Sequence, residues 1–200
     1  IMFLDADDQL MDNCFIQYYR LLESYPNYNV YGTNFIYSTG NTDIVYCKII
    51  KDFVSKNCFK DMYFHRIYPR PGSFIIKKGC IATVGLFNEK ICISEDRDFL
   101  MRIMDHFPIV YSHVPTFRYY AGMGLSIAQK PYRMQYLSIV EFEPFKFWKN
   151  LCVSRYIIEC IRKNLSLTGF VKNRLIKNIP YVLIDLSLST LSFLKRKIVL

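Results

Sequence analysis

The stretch Ile1-Met2-Phe3-Leu4-Asp5-Ala6-Asp7-Asp8 decides how the chain is read. Its four leading apolar residues have the pattern of a short buried strand, and three acids crowd the turn that follows. Beyond the turn, residues 12–24 carry Phe15, Tyr18, Tyr19 and Leu22 at helical spacing. Strand, acidic turn and helix in that order predict an α/β fold. Open α/β sheets bind ligands just past the carboxyl ends of their strands, so Asp5 and Asp7 lie where a site is expected. Two carboxylates on a DxD turn can hold a hard divalent cation, Mn²⁺ or Mg²⁺, which takes its remaining ligands from water and substrate phosphate oxygens. The alternative, that one acid caps the helix, explains a single Asp and leaves two over. A buried strand needs neighbours on both edges, so the opening at Ile1 predicts a fragment whose N-terminal part is missing.

Working outward, residues 28–37 and 44–50 read as strands joined by the turn Ser38-Thr39-Gly40-Asn41-Thr42. Pro69-Arg70-Pro71-Gly72 breaks the chain before a short strand, Ser73 to Ile76, and a short helix ending near Gly85. Ser94-Glu95-Asp96-Arg97-Asp98 supplies a cap and an acidic first turn for a helix with Phe99, Leu100, Ile103 and Met104 inward. Residues 108–120 are strand-rich, residues 121–126 form a flexible loop, and helices resume at 131.

Composition narrows the function. Seven Cys without a CxxC pair, scattered through apolar stretches, favour a reducing compartment over a disulfide framework. Three His without metal-ligand spacing make structural zinc a poor reading. The net charge of +9 is unevenly placed: residues 1–144 carry 15 Lys/Arg and 15 Asp/Glu, whereas residues 145–200 carry 11 Lys/Arg against Glu159 and Asp185 alone. Residues 1–144 therefore read as one domain and residues 145–200 as a basic helical tail suited to an anionic surface. In that tail, Leu151, Val153, Tyr156, Ile157, Cys160 and Ile161 share a helical face. The run 179–194 is too short to span a bilayer and contains Asp185. Asn178, Asp185, Ser189, Ser192 and Arg196 form one polar stripe that leaves a broad apolar face, so a helix lying in the membrane interface is expected. The tail's aromatics sit mostly on apolar faces and no recognition motif is present, so nucleic acid is not an expected partner.

Glu95 and Asp96 have an ordinary reading as favourable charges at a helix N-terminus. If the two acidic turns share a cleft, a carboxylate there could accept the proton of an attacking hydroxyl. In this context, Phe3-Leu4-Asp5-Ala6-Asp7-Asp8 resembles the DxD segment of GT-A glycosyltransferases, in particular family 2, whose members commonly read FLDxDD. Ser73-Phe74-Ile75-Ile76-Lys77-Lys78, Val84-Gly85-Leu86-Phe87-Asn88-Glu89 and Ser94 to Arg102 follow in the family's order. They are similar to its acceptor-side strand, its GGFDE-like turn and its ED motif. Phe117-Arg118-Tyr119 and Ser126 resemble its later YR…S segment, and the likeness covers roughly residues 1–130. The turn here reads Gly-Leu-Phe-Asn-Glu, and Tyr120 stands where many relatives have His.

The resemblance implies the C-terminal portion of a GT-A, Rossmann-like fold carrying an inverting, metal-dependent hexosyltransferase. Asp7 would bind the metal, Asp5 the donor's ribose or the metal, and Asp96 would be the base with Glu95 at the acceptor end. Arg118 is a candidate for gripping substrate phosphate. The implied partners are a nucleotide-diphosphate sugar and a glycan or lipid-linked acceptor. With the basic tail, this predicts a protein on the cytoplasmic, inner face of a membrane. Two alternatives remain: a haloacid-dehalogenase-like phosphohydrolase, against which Gln9 departs from DxDx(T/V), and a non-enzymatic basic membrane-binding module.

Overall fold

A parallel pair of long strands, β2 (Val30–Ser38) and β6 (Ile109–Tyr120), is the axis of the first part of the molecule. The computed structural model describes residues 1–89, 95–121, 143–162 and 176–188, without the side chains of 156, 157 and 159–162. The chain divides into two units, Ile1–Lys130 and Pro131–Leu200. In the first unit the remaining elements are β1 (Gln9–Leu10), α1 (Cys14–Ser24), β3 (Asp43–Val45), β4 (Phe53–Ser55), α2 (Cys58–Tyr63), β5 (Phe74–Ile76), α3 (Gly79–Val84) and α4 (Glu95–His106).

Each long strand gives its outer edge to two short ones. β4 and β1 lie antiparallel on successive stretches of β6, while β5 and β3 do the same on β2. The result is a mixed six-stranded sheet. The β2–β6 register slips between Thr33 and Asn34, where Pro115, which has no N–H to donate, faces Asn34. Residues 46–50, expected as strand, leave the sheet after Val45. The Asn34 side chain then takes over the pairing, accepting from the Cys47 N–H at 2.9 Å and donating to the Cys47 carbonyl at 2.7 Å. β4 and α2 have no clear signal in the sequence.

The helix phase of α1 differs from the expected one. Cys14, Tyr18 and Leu21 pack on Tyr31 and Val110, and Gln17 donates to Ser112 at 2.6 Å. That face turns Phe15 outward at 71% exposure, together with Ile16 and Tyr19. In α4 the expected inward residues Phe99, Leu100, Ile103 and Met104 are all buried. Buried acids are tied to partners. Asp52 accepts from His113 Nδ1 at 2.7 Å and Ser112 Oγ at 2.8 Å, and also pairs with Arg20. Burial alone would raise its pKa, but these hydrogen bonds bring it down to about 2.

The opening residues are not a central buried strand. Ile1 and Ile76 exchange backbone hydrogen bonds at 2.8 and 3.0 Å, Met2 bridges Ile75, and Gly72 N–H donates to the Phe3 carbonyl. The segment is extended and lies against β5, with Ile1 47% and Leu4 45% exposed. Gly72 makes this possible. Its φ is +80°, and a Cβ there would lie 2.6 Å from the Phe117 ring.

The second unit contains α5 (Phe147–Arg162) and a helix, α6, over 176–188. Asn178 and Asp185 of the expected polar stripe are buried, Asp185 accepting from Arg155 Nη2 at 3.0 Å. The opposite face carries Ile176 at 62% and Leu183 at 59% exposure. The expected Ser94 cap, the 121–126 loop with Ser126, the helices from 131, and Ser189, Ser192 and Arg196 lie outside the described residues, as do the side chains of Tyr156, Ile157, Cys160 and Ile161. Cys14, Cys47, Cys58, Cys80 and Cys152 are buried free thiols.

Gly72→Ala is expected to lose at least about 2 kcal/mol, because the change combines a left-handed backbone with overpacking against Phe117. A urea titration would read this as a lower midpoint at unchanged m.

Candidate functional site

The two acidic turns are drawn together by aromatic side chains next to them in sequence. Phe3, two residues before Asp5, meets Phe99, three residues after Asp96, edge-on with ring centroids 5.6 Å apart. Phe87 closes the trio, 5.1 Å from Phe3 and stacked 4.7 Å from Phe99. Asp98, fully buried, accepts from Arg102 Nε at 3.0 Å. Arg102 in turn donates to the carbonyls of Val84 and Leu86, fixing the start of α4 against the turn after α3. Asp98 is thereby a structural acid, and Glu95 and Asp96 are left to face outward from the same helical turn.

The charges of the two turns act on each other. Burial pushes the Asp5 carboxyl above its usual range, and the next contributions are the charges of Asp96 and then Asp7, with Glu95 adding to them. Asp96 thus acts on Asp5 more strongly than its own neighbour Asp7 does. Asp8 rises to about 6, again first through burial, although the Tyr120 N–H donates to its Oδ1 at 3.3 Å and opposes the shift. No side-chain hydrogen bond or ion pair engages Asp5, Asp7, Glu95 or Asp96 among the described residues. Among the described residues, then, Asp5 feels the charge of three further carboxylates with no side-chain cation paired to it.

Arg70 is the arginine that acts on this site. Its charge lowers the pKa of both Asp5 and Asp8. Arg118, the candidate phosphate residue, is paired instead with Asp43 at the start of β3. The two differ in position: Arg118 lies on β6 opposite Gln9 and Ile36, whereas the Pro-Arg-Pro-Gly turn carries Arg70 beside the Phe3 carbonyl. The sequence holds a signal for Arg70 in its flanking prolines, which fix the backbone around a single cation.

No group of three His, Cys, Asp or Glu side chains among the described residues is arranged to enclose a metal by itself. The donor set nonetheless suits a hard divalent cation. Asp5 and Asp7 offer two oxygen-donor side chains without partners, and such ions commonly take the rest of their coordination from substrate phosphate and water.

The family model described as Glycosyl transferase family group 2 matches residues 1–134. No curated protein matches the chain.

The raised pKa of Asp8 has a signed consequence. Between the unfolded value of about 4 and the folded value of about 6, the folded state binds a proton that the unfolded chain has released. The Asp8 contribution therefore weakens the metal-free protein as pH rises through that window. Asp8→Asn, which keeps an acceptor for the Tyr120 N–H, is expected to raise the melting temperature at pH 7.5 and leave it unchanged below about pH 4. Thermal melts of the two proteins from pH 4 to 8 check this.

Proposed function

The chain belongs to glycosyl transferase family group 2 and its activity is glycosyl transfer; we propose that it moves a hexose from a nucleotide-diphosphate sugar to a hydroxyl of a glycan or lipid-linked acceptor, with inversion. The observation that carries this reading is the convergence of Asp96 on Asp5. It sets a carboxylate able to take a proton beside a turn able to hold a cation.

In the proposed reaction the acceptor oxygen attacks the anomeric carbon from the face opposite the diphosphate. The new glycosidic bond forms as the bond from the anomeric carbon to the phosphate oxygen breaks, and the electron pair leaves with the diphosphate. Asp96 takes the hydroxyl proton, and Glu95, exposed on the preceding position, orients the acceptor. Asp7 and Asp5 would hold Mn²⁺ or Mg²⁺, which when bound neutralises charge on the departing diphosphate. Family membership favours transfer over the phosphohydrolase and non-enzymatic alternatives. Arg118, engaged by Asp43, is read here as a support of the sheet edge.

Residues 145–200 we read as a surface for the inner, cytoplasmic face of a membrane. The reading is supported by their basic charge and by α6, whose Asp185 is buried against Arg155 of α5 while its aliphatic side chains Ile176 and Leu183 are exposed. No helix of the described residues is long and apolar enough to cross a membrane, so the expected attachment lies in the interface.

Asp96→Asn is expected to lower kcat by about 10²- to 10⁴-fold while keeping Mn²⁺-dependent nucleoside diphosphate binding. Asp7→Ala is expected to lose that binding. Calorimetry with a panel of nucleoside diphosphates, alongside turnover, checks both, and an Asp96→Asn protein with full turnover would refute the assigned base. Co-sedimentation with anionic vesicles is expected for the chain, to weaken in Leu183→Glu, and to be lost on truncation at residue 145.

A further inference from the structure

The Arg70 side chain is braced but meets no hydrogen-bond acceptor among the described residues. Its guanidinium carbon lies 3.4 Å from the Tyr119 ring centroid and 5.8 Å from that of Tyr68. Tyr68 is itself held, its hydroxyl accepting from Arg97 Nη2 at 3.1 Å and its ring lying 4.8 Å from Tyr46. Tyr46 stacks at 4.7 Å on the fully buried Phe35. Pro69 and Pro71 restrict the backbone on either side, and Ser73 Oγ donates to the Arg70 carbonyl at 3.0 Å.

Stacking occupies the face of a guanidinium and leaves its N–H donors pointing outward in the plane. Among the described residues, none of the Arg70 donors reaches an acceptor, and Nε is buried with no partner. Buried donors are nearly always satisfied, so an unsatisfied one beside a functional site calls for a ligand. The neighbouring carboxylates do not serve. Asp5 and Asp8 feel the charge of Arg70, yet no ion pair joins them to it.

We propose that Arg70, held on the faces of Tyr119 and Tyr68, is a phosphate seat adjoining the DxD turn. Its fixed planar fork matches the two-oxygen edge of a phosphate, and a cation at Asp5 and Asp7 would offset the negative field there. The proposal rests on the glycosyl-transfer reading only for the source of the phosphate. One source is the diphosphate of the donor, the other the phosphate of a lipid-linked acceptor.

Calorimetry with two probes separates the sources: inorganic pyrophosphate with Mn²⁺, and farnesyl monophosphate without metal. Arg70→Ala is expected to bind at least one probe about tenfold more weakly than the parent chain. A loss with pyrophosphate alone assigns the seat to the donor, and a loss with farnesyl monophosphate alone assigns it to the acceptor. Loss with both makes it common to the two. Tyr119→Leu, which removes the platform and keeps the cation, is expected to weaken the same probe, and it carries the test if Arg70→Ala does not fold. Unchanged binding of both probes in the variant that folds overturns the proposal and leaves Arg70 as a counter-charge for Asp5 and Asp8. Asp7→Ala in parallel keeps the two readings apart. If that variant retains Mn²⁺-dependent pyrophosphate binding, the metal reading of the DxD turn fails, while the seat is still judged on Arg70→Ala.

Discussion

The edge-on contact of Phe3 with Phe99 and Phe87 holds together what charge would drive apart. Asp5 and Asp96 come from turns far apart in sequence, and their carboxylates repel across the site. Each sits within a few residues of an aromatic ring in the trio, so the rings set how near the acids can stand. Edge-to-face aromatic pairs contribute about 0.5–1.5 kcal/mol beyond the area they bury. That is comparable to the repulsion of two partly solvated charges several ångströms apart. Packing can therefore impose the crowding, which a ligand of opposite charge would relieve.

Pairing separates the structural acids from those of the proposed site. Asp52, Asp61, Asp98 and Asp185 are all low in exposure, and each meets an arginine. Asp5, Asp7, Glu95 and Asp96, by contrast, meet no such partner among the described residues. Asp98 and Asp96 show the distinction within a single helical turn, one clamped by Arg102 and the other uncommitted. The same test applied to cations sets Arg70 apart from Arg118.

Both acidic turns were legible in the sequence because each is a local pattern: carboxylates closely spaced beside an apolar run. The hairpin of β2 and β3, the strand before Gly79 and the inward face of α4 were legible for the same reason. What escaped depends on distant partners. The phase of α1 is set by Tyr31, Val110 and Ser112, so Phe15 and Tyr19 could not be placed from spacing alone. Ile1 to Leu4 have the composition of a buried strand, yet they lie along β5 with Ile1 and Leu4 exposed. The Arg70 cage draws on residues 68, 70 and 119, which no local window contains. The stripe of Asn178 and Asp185 was visible in the sequence, but that it faces inward follows from its partner Arg155.

The parallel pairing of β2 with β6 also bears on how the protein is made. Val30 meets Ile109, and the chain between them must be synthesised before the pair can close. Loops of that length make sheet closure slow relative to local helix formation. On the ribosome, the first acidic turn and α1 emerge long before the strand that covers β2. Until about residue 120 has left the exit tunnel, the nascent chain presents uncovered strand edges, a recognised cause of misassembly. Synthesis of this unit should therefore depend on holdase chaperones, and a pause in translation once β6 has cleared the tunnel would favour its correct closure.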